Sequence, residues 1–100
     1  MPKSLAELSD EMHRFVEAKG WYRPDSPRPQ TVRNVAISLS IEAAELLEHV
    51  QWSERPEDAA AWSAELADIL LYLLQLASLS SVDLEQAVAE KLQANYRRTW

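Results

Sequence analysis

Four stretches of the chain carry apolar residues at a three-and-four spacing, and its prolines and single glycine fall at their edges. Leu5, Leu8, Met12, Phe15 and Val16 mark one face of a helix predicted from about Leu5 to Lys19. Ser4 and Glu7 have the spacing of a capping box, and Gly20 is a natural stop. "WYRPDSPRPQ" (21–30) holds three prolines in ten residues and predicts an irregular connection. A second helix is expected from about Val32 to Gln51, with Thr31 as its cap. "SERPED" (53–58) breaks it, and Pro56 is expected in the first turn of a third helix that runs to about Leu79. Asp83 and Gln86 open a fourth, from Leu84 to about Arg98. There is no internal repeat or low-complexity tract. The expected class is all-α: one four-helix, bundle-like domain over residues 1–100.

The third helix is apolar on two sides. At about 100° per residue, Trp62, Leu66, Ile69, Leu73 and Leu76 form one stripe, and Ala67, Leu70, Leu71 and Leu74 a second nearly opposite. Between them runs a polar line of Glu65, Asp68, Tyr72 and Gln75, which packing on both sides would turn towards a crevice. The second helix repeats the design. Its main stripe is Val32, Val35, Ala36, Leu39, Ala43, Leu46 and Val50, with Ile37, Ile41 and Trp52 on the other face and Ser38, Glu42, Glu45 and His49 alongside.

Each of these helices therefore carries an acidic i,i+3 pair, Glu42 with Glu45 and Glu65 with Asp68. Such pairs usually face solvent. Here no Lys or Arg shares the strip of the third helix, and two carboxylates about 5 Å apart repel by roughly 3 kcal/mol at an effective dielectric of about 20. A divalent cation removes that cost. All-oxygen ligands without cysteine point to Mg²⁺, or Mn²⁺, with waters and phosphate oxygens completing the shell. A di-iron carboxylate site is set aside, because neither His13 nor His49 follows a Glu at the Glu-x-x-His spacing. His49 reads as a supporting or surface residue instead.

Composition narrows the partners. The net charge of −6 argues against a nucleic-acid backbone. The absence of cysteine rules out disulfides and thiolate metal sites. The N-terminus lacks the apolar run of a signal peptide, and the apolar segment 69–79 is short for a bilayer, so a soluble cytoplasmic protein without a membrane partner is expected. One hundred residues with 47% apolar content make a marginal lone core and leave surface for a subunit interface. On the fourth helix Leu84, Val88, Lys91, Asn95 and Arg98 share a face that turns basic towards its end. This is either favourable charge at a helix C-terminus or a set that reaches phosphates.

"IEAAE" (41–45) and "ELAD" (65–68), with "EHVQW" (48–52), "ELADILLYL" (65–73) and "KLQANYRR" (91–98), resemble the MazG-like all-α nucleoside triphosphate pyrophosphohydrolases, in particular the dCTP pyrophosphatase branch. The likeness covers roughly residues 21–98 of an E-E-x-x-E, spacer, E-x-x-D pattern, in which Ile41 replaces the first Glu. It implies that Glu42, Glu45, Glu65 and Asp68 hold Mg²⁺, and that Lys91, Asn95 and Arg98 contact phosphates. By the same resemblance Trp52 and Tyr72 enclose base and sugar, with Asn34 nearby, and Trp21 touches the base. Gln30 stands where that branch has a His. The implied reaction splits a nucleoside triphosphate between its α- and β-phosphates, with Glu42 or Glu45 as general base and Glu48 a weaker candidate. The implied assembly is a homodimer or homotetramer whose sites draw on more than one subunit. Relatives of the same fold that act on dUTP or phosphoribosyl-ATP are further options for substrate, and a non-catalytic helical-bundle interaction protein is the alternative in kind.

Overall fold

The computed structural model describes residues 2–100. It is all-helical among those residues, with α1 over Leu5–Ala18, α2 over Val32–Glu48, α3 over Ala59–Leu79 and α4 over Leu84–Arg97. Every helix starts on a side-chain cap. Ser4 and Glu7 form the full capping box, and Thr31, Asp58 and Asp83 each accept a backbone N–H three residues on. Gln86 does not complete a box with Asp83; its side chain donates to Glu90 instead.

Two expected boundaries are corrected. Pro56 lies outside α3, because the Asp58 carboxylate accepts from Ala61 N–H and sets the start at Ala59. The last turn expected of α2 is absent: the chain leaves the helix at His49, the C-cap, rather than at Gln51.

α1 and α3 end in the same way. Trp21 N–H bonds to Val16 O and Gly20 N–H to Glu17 O, the Schellman pair that satisfies the last carbonyls of α1. Gly20 takes the required left-handed conformation at φ 75°. After α3 the same two bonds run from Val82 to Ala77 and from Ser81 to Ser78. Ser81 occupies the left-handed position at φ 57°, where L side chains are strained.

α2 packs along α3, α1 crosses α3 more lightly, and α4 barely touches the others. The chain therefore does not close a four-helix bundle on its own. Met12, Val16, Val35, Leu74 and Gln75 are its buried residues. On α3 burial does not follow the apolar stripes: Leu74 and Gln75 are 4% and 3% exposed, while Leu66, Leu70, Leu71 and Leu73 are 37–45% exposed. α3 as a whole, unlike the segment 69–79 alone, is long and apolar enough to cross a membrane by length and composition.

Candidate active site

The α2–α3 contact brings the two acidic pairs together. One carboxylate oxygen from each of Glu42, Glu45 and Glu65 lies within 4.8 Å of the others, and all three residues are half-buried. His49, at the end of α2, sets its Nε2 3.9 Å from Glu65 Oε1 and its ring edge-on to Trp62. Glu65 Oε2 is buried and accepts no hydrogen bond. Asp68, one turn further on α3, is exposed and lines the neighbouring cavity.

Glu42 carries the cost of this crowding. A hydrogen bond with Glu65, then partial burial and the charges of Glu45, Glu65 and Asp68, push its carboxyl up to about 7. A proton shared between Glu42 and Glu65 is the metal-free way of relieving carboxylate repulsion. A divalent cation is the other, and an unpartnered Glu65 oxygen facing two further carboxylates fits such an ion.

Because the folded pKa of Glu42 is raised, its favourable contribution is complete below the unfolded value near 4.5 and is lost as pH rises through about 7. Metal-free protein should therefore lose stability between pH 5 and 8 relative to Glu42→Gln, which cannot titrate there. Thermal melts of both proteins in chelator across that range check this. Equal slopes would remove Glu42 from the account.

Beside the carboxylates lies a cavity of about 410 Å³ between α1, the 21–31 segment, α2 and α3. Trp21, Asn34 and Tyr72 line it with Asp68, all four of them candidates from the sequence. Trp21 is fixed by the Phe15 ring, met edge-on with centroids 5.7 Å apart, and by the Arg28 guanidinium 5.0 Å from its own ring. Asn34 donates through Nδ2 to Pro29 O, which ties the proline-rich segment to the first turn of α2.

The remaining candidates lie elsewhere in the single chain. Trp52 is 90% exposed and lines a second cavity with Glu48 and His49. Lys91 is exposed on α4, and the Arg98 guanidinium sits 4.1 Å from the centre of the Trp100 ring. Asn95 is half-buried with Oδ1 unpartnered. None of Lys91, Asn95 and Arg98 lines either cavity. Ser38, on the polar flank of α2 with Glu42 and Glu45, lines the first one, as does Arg28, which carried no signal in the sequence beyond its place in the irregular segment before α2.

Residues 37–99, which hold both acidic pairs and α4, match the MazG-like family. The chain belongs to the MazG-like family. It is 34% identical to dCTP pyrophosphatase 1 of Mus musculus over 97% of its length. It spans only 60% of that protein, and 60% of the human protein of the same name. It is 33% identical to the dATP/dGTP diphosphohydrolase of Cyanophage S-2L, over its whole length and 81% of the phage protein. Among solved structures, a pyrophosphatase from Archaeoglobus fulgidus superposes with a TM-score of 0.79 at 31% identity, covering 97% of this chain and 93% of the other. The MazG-like assignment thus rests on sequence and fold together.

Proposed function

We propose that this MazG-like chain is a Mg²⁺-dependent nucleoside triphosphate pyrophosphohydrolase, acting on dCTP or a related or modified nucleotide. The observation that carries the reading is the meeting of the carboxylate cluster and an aromatic, amide-lined cavity in one crevice, with Asp68 on the border of both. The names of the mammalian and phage relatives support nucleotide cleavage.

Glu42, Glu45, Glu65 and Asp68 are the residues that would hold the metal. When bound, Mg²⁺ supplies positive charge to phosphate oxygens and lowers the pKa of a coordinated water. Trp21 and Tyr72 offer flat apolar surfaces to a base and sugar, which places the phosphates towards Asp68. Glu42 or Glu45 takes the proton from the attacking water at a carboxylate oxygen. The anhydride bond between the α- and β-phosphates breaks, and pyrophosphate leaves from the nucleoside monophosphate. The test is a panel of standard and modified (d)NTPs incubated with Mg²⁺, with the products separated. Monophosphate plus pyrophosphate supports the reading; diphosphate plus phosphate, or no turnover at all, refutes it.

Lys91 is assigned to phosphate rather than to helix-end charge alone, since a triphosphate carries more negative charge than a bound cation offsets. Lys91→Ala should lower kcat/KM about tenfold or more, in line with loss of a charge-assisted hydrogen bond. Mg²⁺ binding to the nucleotide-free protein should be nearly unchanged. Wild-type kinetics for this variant would leave the helix-end role as its whole function.

A further inference from the structure

At one wall of the first cavity, a chain of hydrogen bonds fixes the direction of one buried amide. A backbone carbonyl can only accept, and Arg28 O lies 2.7 Å from Gln30 Nε2. That contact settles which end of the Gln30 amide is which, so its Oε1 is an acceptor and receives the N–H of Gln75 Nε2 at 2.8 Å. Gln75 Nε2 also donates to the Tyr22 hydroxyl at 3.3 Å. The Tyr22 hydroxyl, which burial pushes above the usual phenol range, is hydrogen-bonded in turn with His13 Nδ1 at 2.6 Å. His13 Nε2 faces Ser78 Oγ at 2.7 Å and completes the series.

Both N–H donors of Gln75 are spent in this relay. Its Oε1 takes no hydrogen bond from the described residues, although Gln75 is 3% exposed and lines the cavity. An acceptor that the protein itself leaves unpaired is free to take a donor from whatever fills the cavity. Gln75 lies seven residues beyond Asp68 on α3, about 10 Å along the axis, so it marks the end of the crevice away from the carboxylates.

We infer that Gln75 is the base-reading residue of this site, selecting a base with an amino group where its counterpart has a keto oxygen, cytosine over uracil and adenine over hypoxanthine. Gln30 is a positioning residue: it holds the Gln75 amide with its oxygen towards the base. An amino group donates to Oε1, whereas a keto oxygen at the same place would face it acceptor to acceptor and leave both unpaired. The inference rests on the nucleotide-hydrolase reading for its ligand.

The test compares dCTP with dUTP, which differ at that exocyclic group, with dATP against dITP repeating the comparison on a purine. For the wild-type protein with Mg²⁺, kcat/KM should favour the amino member on the order of tenfold or more. Gln75→Met should bring the ratio within about threefold, chiefly by loss on dCTP. Gln30→Ala keeps Gln75 but frees its amide to turn, so the ratio should fall with a gain on dUTP. A residue that only shaped the cavity would change both substrates together. Thermal melts accompany each variant, and Gln30→Ala, on an irregular segment, decides the matter if Gln75→Met does not fold. Binding of dCMP and dUMP by calorimetry needs no turnover and separates the two readings. Selective dCMP binding that Gln75→Met or Gln30→Ala abolishes supports the inference even if no triphosphate is cleaved. Cleavage or binding without amino preference, or a preference unmoved in the folded variants, overturns it.

Discussion

Glu65→Gln is expected to lower Mg²⁺-dependent turnover by at least about 100-fold, since altering even the groups that orient a metal's ligands costs about 10–100-fold. Glu65 is the hub of the acidic cluster. It sets a carboxylate oxygen within 4.8 Å of those of Glu42 and Glu45, sits beside His49 and keeps one oxygen buried and unpartnered among the described residues. Glutamine preserves the shape, and its amide can donate to Glu42, so the metal-free fold should be at least as stable as wild type. Glu42, relieved of one neighbouring charge, should then titrate closer to an ordinary carboxyl. The two effects point in opposite directions, which makes the outcome diagnostic. Mg²⁺ should raise the melting temperature of the wild-type protein by mass action on the folded state and do little for Glu65→Gln. Asp68→Asn should also lose activity while folding normally. A Glu65→Gln protein with full Mg²⁺-dependent turnover would remove the cluster from the chemistry.

The local rules that place helices were readable because they act within a few residues. Ser4, Thr31 and Asp83 each cap as their spacing predicts, and Gly20 turns α1 off at the expected point. Pro56 misled because proline suits a first helical turn only when the cap precedes it. Asp58, two residues later, caps more strongly and moves the start. The early end of α2 has a tertiary neighbourhood, with His49 packed on Trp62 and beside Glu65 across the interface with α3. No sequence signal marks Ser81, a serine doing what glycine did after α1.

The site was legible to the extent that helical spacing determines it. Glu42, Glu45 and Glu65 meet because each pair occupies one side of a straight helix and the two helices lie together. Gln75 was visible as a member of the polar strip, yet its role depends on Gln30 and Tyr22 arriving from an irregular segment with no period to read. α4 was legible as a helix but its partner was not, because it makes almost no contact with the other helices of its own chain.

That shortage leads to the largest structural effect expected of this protein, assembly with further copies of itself. A folded monomer of 11.4 kDa exposes about 5,800 Å² on average, whereas this chain exposes 7944 Å². Its radius of gyration is 15.9 Å, against about 13 Å for a compact domain of the same length. Large apolar side chains contribute to it: Ile37 and Ile41 on α2, Leu66, Leu70 and Leu73 on α3, and Val88 and Leu92 on α4 are all 37–54% exposed. A standard interface buries about 800 Å² per partner, so one such contact would leave more than half of the excess uncovered. We therefore expect at least a dimer through α2 and α3, with α4 packed against a neighbour, observable by sedimentation at micromolar concentration. Ile37→Arg places a charge four residues from Ile41 on the same face and should weaken the assembly. Turnover should fall with it, because Lys91, Asn95 and Arg98 line neither cavity of their own chain, and the phosphate role proposed for them calls for a second copy's crevice. A wild-type protein that sediments as a stable monomer while turning over nucleotide would refute both the interface and that division of the site.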